Sequence, residues 1–496
     1  MQACSAIGSL PSLHQLLPDA ELFGADDVPL TGCACDSRRV RPGDAFVAIR
    51  GGRADGREFL TEAIQRGAAA VICEAPAPEV SVPVCLVRNA REAFARLCQQ
   101  LAGNPSHALK LIGVTGTTGK TTTACLIASV LTTAGMDCGV LGTLGYFDGE
   151  TLEPAVWTTP PADKLAHVLA RSVANGCTHA VMEVSSHALD QMRVAGLRFD
   201  AACVTNVRRD HLDYHATIAD YRLTKSKLFQ YLPPEGFAVV NADDPTSASY
   251  LRQLDTPALT IGVRSAAEFM AMPIEQLISE QTFLLTAGSE MAPVRTRMIG
   301  LHNVYNCLVA AAVGLAYGID LMTVVRGLES LKQVPGRLER IECGQPFGVF
   351  VDFAHTPDAL AATLRTLRSV TAGKLICVFG ASGERDKGKR PLMGRTVERL
   401  ADLPIVTSDN PRSESPATII ADVLAGFADP REAEVVPDRA TAIRWALAAA
   451  QPGDCVLIAG KGHETCQIVG DERIPFDDRE IAREWLYEVR PFAEAA

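Results

Sequence analysis

The chain has 496 residues, of which 47% are hydrophobic and 21% charged, and its formal net charge at pH 7 is −11. One hydrophobic core does not grow to this length, so three domains of ordinary size are expected, and the composition excludes a disordered or fibrous protein. The acidic balance argues against a nucleic-acid partner, because non-specific binding to nucleic acid requires a basic surface.

The sequence predicts neither a signal peptide nor a membrane span. No Lys or Arg precedes the apolar residues of MQACSAIGSLPSLHQLL, and the chain contains no run of about 18 apolar residues. We therefore expect a cytoplasmic protein with no membrane partner. Fifteen cysteines, without a CxxC pair and mostly in apolar surroundings, favour buried reduced thiols over disulfides or zinc ligands.

Three α/β blocks follow one another along the chain. Residues 1–108 combine the short apolar strands AFVAI, AAVIC and VCLVR with a few helices, and turn formers at 103–106 predict a linker. Residues 109–336 begin with strand, glycine loop and helix in LIGVTGTTGKTTTACLIASVLTTAG, and further strand-like runs predict a mostly parallel sheet with helices on both faces. Residues 337–496 alternate strands and amphipathic helices, which predicts a doubly wound, Rossmann-like domain.

The glycine loop at the start of the second block predicts a phosphate site. It follows an apolar strand and opens a helix, where backbone N–H groups and the helix dipole attract phosphates. Lys120 would reach the terminal phosphates and Thr121 a magnesium ion. The strict G-x4-G-K-[ST] pattern is not met because position 114 is Val, which makes a generic P-loop kinase or GTPase a weaker interpretation. A glycine turn with a purely structural role is the alternative.

Two further polar residues follow the next strand-like runs. Glu183 ends AVME, and His211 lies beyond VTNV. A carboxylate and an imidazole at neighbouring strand ends could bind magnesium near the γ-phosphate. Each residue alone would be interpreted as an exposed acid or a capping histidine, and only their position after the phosphate loop favours a metal site.

A series of motifs resembles the Mur ligase family over essentially the whole chain. In order, they are GTTGKTT, EVSSHAL, TNVRRDHLDYH, YRLTKSKLF, GLHNVYN, VPGRLER, VDFAHTPDAL, GERDKGKRP, SDNPR and AGKGHE. The N-terminal segment CDSRRVRPGDAFVAIRGGRADG resembles the uridine-nucleotide-binding domain of the branch that adds the third residue of the stem peptide. Two departures are visible: the phosphate loop has TT where many relatives have TN, and Phe353 replaces a common Tyr.

The resemblance implies an ATP-dependent, amide-bond-forming ligase of peptidoglycan precursor synthesis. ATP would phosphorylate a carboxylate of UDP-N-acetylmuramoyl-L-alanyl-D-glutamate, and the amine of meso-2,6-diaminopimelate would attack the acyl phosphate. Domain closure is expected, because half of the ATP site would belong to the third domain. The partners implied are these small molecules, with Mg2+ as cofactor, and we expect a monomer.

The resemblance also implies the residues of the ATP and metal sites. The catalytic residues would be Lys120, His211 and Lys225, the last as N6-carboxylysine, a carbamate that helps to hold magnesium. The metal positions would be Thr121, Glu183, His211 and Lys225. The ATP positions would be Gly116, Thr117, Thr118, Gly119, Lys120, Thr121, Thr122, Asn303, Asn306, Arg337 and Asp352.

Two more sets of residues follow from the resemblance. Those for the UDP-muramoyl dipeptide are Cys35, Ser37, Gly52, Arg53, Ala54, Thr158, Thr159, Ser185, Gln191 and Arg193. Those for diaminopimelate are Arg385, Asp409, Asn410, Pro411, Arg412, Gly460 and Glu464. Arg412 is expected to select the amino acid, because a guanidinium pairs with the distal carboxylate of diaminopimelate and repels the distal ammonium of lysine.

Three other functions were weighed against this interpretation. A folylpolyglutamate synthase would share the second and third domains, but the CDSRR and DNPR segments favour the cell-wall branch. An ATP-dependent transporter or switch would hydrolyse ATP without an amide product. A catalytically silent binding protein is disfavoured because all five of the residues Lys120, Thr121, Glu183, His211 and Lys225 are present.

Overall fold

The computed structural model describes residues 10–52, 54–77, 80–211 and 214–488, and these form three large β-sheets in chain order and one small hairpin. Of the predicted site residues, Arg53 lies outside the described residues. Every cysteine in the described part of the chain is free, as predicted. None of the described helices is long and apolar enough to cross a membrane.

The first sheet has five strands. They are β1 Glu21–Phe23, β2 Gly32–Ala34, β3 Asp44–Val47, β4 Ala70–Cys73 and β5 Val84–Leu86, and the helices around them are α1 Leu13–Leu16, α2 Leu60–Gln65 and α3 Ala90–Leu101. The strand order is β1-β5-β4-β3-β2, with an antiparallel β1–β5 pair and parallel pairs elsewhere. An ion pair from Arg39 to Asp163, 2.7 Å long, joins this unit to the second.

The second sheet has eleven strands. They are β6 Lys110–Thr115, β7 Cys138–Gly142, β8 Gly145–Phe147, β9 Leu152–Glu153, β10 His179–Glu183, β11 Ala201–Val204, β12 Phe237–Asn241, β13 Ala258–Gly262, β14 Phe269–Gln276, β15 Gln281–Ala287 and β16 Glu290–Thr296. The helices are α4 Lys120–Thr133, α5 Ala162–Ala174, α6 Ser186–Asp190, α7 Ile218–Ser226, α8 Pro245–Tyr250, α9 Leu301–Ala316 and α10 Leu321–Ser330.

The strand order of this sheet places the glycine loop at its centre. The order is β16-β15-β14-β13-β12-β11-β6-β10-β7-β8-β9, and the pairs from β14 to β7 are parallel. Antiparallel strands extend both edges. The carboxyl ends of β6, β10 and β11 therefore meet in the middle of one sheet edge, the position at which α/β sheets bind their ligands.

Helix α4, which continues from the glycine loop, is the centre of the main core. Leu126, Ile127, Val130 and Leu131 are fully buried between the sheet and α9 and α10. At Gly327 of α10 an added Cβ would lie 2.5 Å from the Val130 Cα, so the two helices approach closely only because glycine is there. Truncating Leu126 to Ala would cost about 2–5 kcal/mol of stability.

The third sheet has six strands. They are β17 Glu339–Arg340, β18 Gly348–Asp352, β19 Leu375–Phe379, β20 Leu403–Val406, β21 Glu434–Val435 and β22 Cys455–Ala459, and a separate hairpin pairs β23 Cys466–Val469 with β24 Glu472–Pro475. The helices are α11 Pro357–Arg368, α12 Lys389–Leu400, α13 Pro416–Leu424, α14 Arg439–Ala449 and α15 Asp478–Glu488. The order is β17-β18-β22-β19-β20-β21, parallel except for the first pair.

These sheets confirm the predicted α/β class, with a mostly parallel second sheet and a doubly wound third one. The domain boundaries near 108 and 336 stay predictions. The antiparallel strands at the edges of the second sheet were not part of the sequence prediction, because pairing between distant strands leaves no local signal in the sequence.

Candidate active site

The glycine loop between β6 and α4 has a backbone that only glycine tolerates at two positions. Gly116 has a φ of 150° and Gly119 a φ of 87°. A Cβ at Gly116 would lie 2.0 Å from the Thr205 Oγ1, and a Cβ at Gly119 would lie 2.5 Å from the Asn306 Oδ1. Strand β11 and helix α9 therefore pack directly against the loop that was predicted to hold phosphates.

Residues after β11 support the same loop through hydrogen bonds. The Thr117 N–H donates to the Asn206 carbonyl at 2.9 Å, and the Thr118 N–H donates to the Asn206 side chain at 3.1 Å. The Thr205 hydroxyl donates to the Thr118 carbonyl at 2.7 Å. Asn206 was missed in the sequence, where an Asn after a strand is indistinguishable from an ordinary turn residue.

Two lysines converge on one carbonyl of the loop. Lys120 Nζ donates to the carbonyl oxygens of Gly116 and Thr117 at 2.9 and 3.0 Å, and Lys225 Nζ donates to the same Gly116 carbonyl at 2.8 Å. Burial lowers the pKa of Lys225 well below its usual value, and the charge of Lys120 acts in the same direction. Burial also lowers the pKa of Lys120, against the opposing charge of Glu183. Two adjacent buried ammonium groups repel each other, so the geometry favours the neutral amine form of Lys225.

Lys225 is held rigidly on helix α7. The side chain is 1% exposed, and its Nζ lies 4.7 Å from the centre of the Tyr221 ring. The neighbouring Lys227 lies beyond the end of α7 and is half-buried, so it does not occupy the same place.

Glu183 forms a buried oxygen cluster at the end of β10. It accepts hydrogen bonds from the Thr121 hydroxyl at 3.0 Å, the Thr143 N–H at 2.7 Å and the Thr143 hydroxyl at 3.2 Å. A carboxylate and hydroxyl groups are hard oxygen ligands of the kind that magnesium prefers. The described residues contain no group of three or more His, Cys, Asp and Glu side chains placed for a metal, so any ion here would depend on the hydroxyl groups, the substrate and Lys225.

His211 lies on the loop between β11 and α7, at a φ of 53°. Its Nε2 is 3.6 Å from an Asp210 carboxylate oxygen, and its ring packs edge-on against His187 at 5.0 Å. Burial lowers the pKa of His211 to about 4, and the charge of Lys120 acts in the same direction against the opposing charge of Asp210, so the imidazole is neutral near pH 7. In the described part of the chain, the side chain of His211 contacts Asp210, His187 and Tyr221 and forms no hydrogen bond with Glu183.

The third unit reaches the phosphate loop through Arg337. Its Nη2 donates to the Thr121 hydroxyl at 3.1 Å, and its guanidinium lies 4.6 Å from the centre of the Phe353 ring. Phe353 thus presents a ring face to a cation, an arrangement worth about 0.5–2 kcal/mol. The two parts of the predicted ATP site are close together in this arrangement.

The side chains of Asp352, Asn303 and Asn306, also predicted for ATP, form hydrogen bonds with nearby residues of the chain. Asp352 accepts from the N–H groups of Leu338 and Ala354, at 2.7 and 2.9 Å. Asn306 Nδ2 donates to the Asn303 Oδ1 at 3.0 Å, one turn earlier on α9. Thr122 is buried in the first turn of α4. These residues lie around the loop, but the contacts do not show an adenosine pocket.

A network beyond β10 holds the guanidinium of Arg193. Arg193 donates to the Thr159 carbonyl at 2.8 Å and to the Gln191 Oε1 at 2.7 Å, and it lies 5.3 Å from the centre of the exposed Trp157 ring. The Ser185 N–H donates to the Thr159 hydroxyl at 3.0 Å. The Thr143 hydroxyl donates to Glu183 at 3.2 Å and lies 3.2 Å from the Thr158 hydroxyl, so it connects this network to the oxygen cluster.

The predicted uridine end lies in the first unit, apart from these groups. The Ser37 hydroxyl donates to Glu62 at 2.6 Å, and Cys35 is exposed beside it. Gly52 and Ala54 are exposed in a turn that the Gly51 N–H closes on the Ala54 carbonyl. No described contact joins these residues to Thr159 or Arg193, and a long substrate would have to connect them.

The DNPR segment after β20 is largely buried. Asp409 and Asn410 are 3% and 4% exposed. Arg412 has a φ of 54°, and among the described residues neither its Nε nor the Asp409 Oδ2 has a hydrogen-bond partner although both atoms are buried. Buried unpaired polar atoms cost about 1–3 kcal/mol each, so their pairing with a ligand would recover that free energy.

Residues after β22 complete this pocket. Gly460 has a φ of 119°, and a Cβ there would lie 2.5 Å from the Asp409 Oδ2. Glu464 Oε2 accepts from the Asn410 side chain at 2.8 Å. Pro411 is buried next to Gly383, while Arg385 is exposed on the loop after β19.

One buried cation in this pocket was missed among the sequence predictions. Lys461 is 0% exposed, and its Nζ donates to Asn410, Glu464 and the Cys466 carbonyl. Its position inside the AGKGHE motif, at the end of an apolar strand, was a usable signal, because a lysine is rarely buried unless it is paired.

Family models and known proteins were compared with the chain. Residues 114–314 match the Mur ligase middle domain, residues 336–462 the glutamate ligase domain of Mur ligases, and residues 29–101 the catalytic domain model of the Mur ligase family. Together these matches cover most of the chain in the order in which the three sheets occur.

Several relatives that match nearly the whole chain have the same name. A UDP-N-acetylmuramoyl-L-alanyl-D-glutamate–2,6-diaminopimelate ligase from Geobacillus thermodenitrificans is 43% identical over 97% of this chain and the whole of that protein. A ligase of the same name from Geobacillus kaustophilus is 45% identical over 96% of this chain and 98% of its own. A solved structure of a ligase with this name matches 97% of this chain and 99% of its own at 32% identity, with a TM-score of 0.70.

Proposed function

The chain belongs to the Mur ligase family, and from this premise we propose that it is an ATP-dependent ligase that joins meso-2,6-diaminopimelate to UDP-N-acetylmuramoyl-L-alanyl-D-glutamate in peptidoglycan precursor synthesis. The observation that carries the chemistry is the hydrogen bond between Arg337 and Thr121, because it joins the amino-acid-binding unit to the phosphate loop. A ligase needs this connection, since the amine must reach an acyl phosphate formed at the loop.

The first step is the transfer of the γ-phosphoryl group of ATP to a substrate carboxylate. One carboxylate oxygen forms a bond to phosphorus while the bond to the β-phosphate oxygen breaks, which gives an acyl phosphate and ADP. Lys120 leaves the carbonyls of Gly116 and Thr117 and binds the phosphates. Arg337 stabilises negative charge on the transferred group from the opposite side.

The second step is attack by the amine. The neutral amine of diaminopimelate adds to the acyl carbon, loses a proton and forms a tetrahedral intermediate, which collapses to the amide and inorganic phosphate. Arg193 holds a carboxylate of the UDP-muramoyl dipeptide, and its orientation by Gln191 and Thr159 supports this role. Closure of the third unit over the loop excludes water, which would otherwise hydrolyse the acyl phosphate.

The oxygen cluster around Glu183 fits a magnesium site. Thr121 and Glu183 would hold the ion, with His211 and a carbamate on Lys225 as further ligands. When bound, magnesium neutralises charge on the phosphates of ATP. Lys225 suits carbamate formation because an amine must be neutral to add to CO2, and burial beside Lys120 favours the neutral form.

Arg412 and Glu464 recognise the two charged groups on the distal carbon of diaminopimelate. Arg412 pairs with the distal carboxylate and Glu464 with the distal ammonium, while Asp409, Asn410 and Gly460 shape the pocket. Arg385, exposed in this arrangement, binds a second carboxylate as the amino acid enters. Lysine lacks the distal carboxylate and would leave Arg412 unpaired, so it is rejected.

The substrates suggest the setting of the reaction. ATP and a UDP-linked precursor are cytoplasmic metabolites, so we place the enzyme in the cytoplasm. Residues 1–108 bind the uridine end, 109–336 bind ATP, and 337–496 bind the amino acid. A monomer contains every residue of this proposed site.

The test is the product mass after incubation with ATP, Mg2+, UDP-N-acetylmuramoyl-L-alanyl-D-glutamate and either meso-diaminopimelate or L-lysine. We expect a tripeptide with diaminopimelate alone. A product with lysine would keep the ligase activity and refute the role of Arg412. ATP hydrolysis without an amide product in either incubation would contradict the proposed function.

A further inference from the structure

We propose that Lys461 is a positioning residue that sets the carboxylate of Glu464 for the incoming amino acid. This inference rests on the proposed function, and it concerns a residue outside the set predicted from the sequence. Lys461 touches neither ATP nor the acyl group in the proposed mechanism. Its effect would act through Glu464 and Asn410.

The hydrogen bonds of Lys461 connect the two recognition segments of the pocket. Its Nζ donates to the Asn410 Oδ1 at 3.0 Å, the Glu464 Oε2 at 2.8 Å and the Cys466 carbonyl at 2.7 Å. An ammonium group has three protons, so these acceptors use all of its donors. With 0% exposure, the group has no water to replace any of them.

The same contacts leave one oxygen of Glu464 for a ligand. Lys461 and the Asn410 Nδ2 both bind Oε2, at 2.8 Å each, and no described residue donates to Oε1. The Glu464 side chain is 32% exposed, so Oε1 can be reached from outside. A carboxylate fixed by one oxygen and open at the other has its direction set before the ammonium arrives, which lowers the entropic cost of binding.

Lys461 also secures the segment that carries Arg412. The Asn410 Oδ1 accepts from Lys461 and from the Ile468 N–H, at 3.0 Å each. The adjacent hairpin continues the attachment, because the Arg412 N–H donates to the Ile468 carbonyl at 3.0 Å and the Gly470 N–H donates to the Arg412 carbonyl at 2.8 Å. The lysine therefore joins the carboxylate end and the guanidinium end of the pocket.

The turn that places Lys461 requires glycine on both sides. Gly460 and Gly462 have φ values of 119° and 54°. A Cβ at Gly462 would lie 2.7 Å from the Gly336 carbonyl, and Gly336 immediately precedes Arg337. Lys461 thus lies between the amino-acid pocket and the residue that contacts the phosphate loop, where a small shift would misplace the amine relative to the acyl phosphate.

A competing account makes the opposite prediction. If Lys461 only neutralised Glu464, it would compete with the ammonium of the substrate, and its removal would tighten amino-acid binding. If it positions Glu464, its removal leaves the carboxylate mobile and the Asn410 and Cys466 oxygens without their donor. The second effect is the larger one, because buried groups left unpaired lose their full desolvation free energy.

The experiment is a double-mutant cycle in the full-length protein, with Lys461→Met, Glu464→Gln and the double variant. We expect Lys461→Met to raise KM for diaminopimelate about 30-fold and KM for ATP less than about 3-fold. In the Glu464→Gln background the same substitution should raise KM for diaminopimelate by a clearly smaller factor, about 5-fold, because only its contact with Asn410 and the Arg412 segment is then lost. Arg171→Met is the control, since Arg171 pairs with Asp148 and Glu153 far from this pocket.

Three results would overturn the role of Lys461: an equal rise in all three substrate KM values, a fall in KM for diaminopimelate, or an undiminished effect without Glu464. Calorimetric Kd values for diaminopimelate, in the presence of ADP and the UDP-muramoyl dipeptide, separate this inference from the proposed function. Wild-type protein that binds diaminopimelate with the expected mutant pattern but forms no tripeptide refutes only the function. Wild-type protein that forms tripeptide without that pattern refutes only the role of Lys461.

Discussion

The phosphate loop and the DNPR segment both meet a substrate in the proposed mechanism, but they are held in different ways. The loop at 116–121 runs directly from β6 into α4, so the strand and the helix fix its two ends, and Thr205 and Asn206 add hydrogen bonds from one neighbouring segment. The DNPR segment at 409–412 depends on Ser382, on Lys461 and on the β23–β24 hairpin, which come from other parts of the chain. A loop fixed at both ends by a strand and a helix tolerates few backbone changes, whereas a segment held mainly by side chains from other parts of the chain can change its specificity through those side chains.

The largest effect is expected at Lys225. Lys225→Ala should reduce ligation by at least about 1,000-fold, because it removes the amine that forms the carbamate and a ligand of the proposed metal site. Short-chain carboxylic acids should partly restore the rate by supplying the missing carboxylate. Product formation by mass spectrometry measures both results.

Lys227→Ala is the matched control for this prediction. Lys227 is two residues away and half-buried, so its removal should change the rate less than about 3-fold. Full activity of Lys225→Ala without added acids would refute the carbamate role. It would also show that the phosphate loop functions without the hydrogen bond from Lys225 to the Gly116 carbonyl.

The next effect tests the DNPR segment. Arg412→Ala should raise KM for diaminopimelate about 100-fold, the cost of a lost bidentate ion pair, and leave KM for ATP nearly unchanged. Steady-state kinetics with each substrate varied in turn provides the measurement. Equal changes in both KM values would mean that Arg412 acts on closure and not on the amino acid.

Glycine substitutions in the two regions test how strongly each backbone conformation is constrained. Gly116→Ala should destabilise the protein by about 2–4 kcal/mol, because φ is 150° and the new Cβ would lie 2.0 Å from the Thr205 Oγ1. Gly470→Ala, in the hairpin that holds Arg412, should cost about 1 kcal/mol, because φ is 59° but nothing lies within 4 Å of the new Cβ. Urea unfolding curves of the two variants measure the difference, and similar losses would contradict it.

The smallest effect is a pH dependence at the junction of the two regions. Burial, with the charges of Arg337, Arg479 and Lys461, lowers the pKa of His463 to about 3. The unfolded chain binds a proton below about pH 6.5 and the folded chain does not, so stability falls as pH decreases from about 6.5 towards 3. Between pH 7 and 5 the loss should be about 1 kcal/mol, after allowance for partial exposure to solvent.

His463→Gln should remove this part of the pH dependence. The Nδ1 atom of His463 is buried without a hydrogen-bond partner in the described part of the chain, so the substitution itself should cost little near pH 7. Unfolding free energies of both proteins at pH 7 and pH 5 provide the comparison. An unchanged slope in the variant would assign the acid sensitivity to other groups.

Much of the phosphate region could be predicted from the sequence because its signal is local. An apolar strand, a glycine loop and a Lys-Thr pair adjoin in the chain, and Gly116, Lys120 and Thr121 lie where that order predicts. The ligand sets themselves stay predictions. Asn206 and Thr143, which hold the loop and Glu183, were missed because hydrogen bonds between distant segments have no sequence spacing.

In the amino-acid region, less of the geometry could be predicted from the sequence. The resemblance singled out Arg412 and Glu464, but the sequence did not reveal that the DNPR segment is buried, that Arg412 has a left-handed backbone or that Lys461 lies beneath both. Burial depends on which elements pack over a segment. Here the β23–β24 hairpin packs over DNPR, and more than one helix and strand separate the two in the chain. Arg385 is exposed together with Glu384 and Lys387 of the same motif, so the loop after β19 is not covered as the DNPR segment is.

The sequence by itself determined the class of the protein. Alternating apolar strands and helices specify α/β sheets, and ordered motifs identify the ligase family. Both signals can be read from the sequence because periodicity and glycine positions are properties of neighbouring residues. The tertiary structure alone decided which charges share a site. Lys120 and Lys225 meet at one carbonyl although 105 positions separate them, and Arg337 reaches Thr121 from another sheet. These pairings depend on strand order and burial, which set distance and dielectric surroundings and therefore the pKa values on which the chemistry depends.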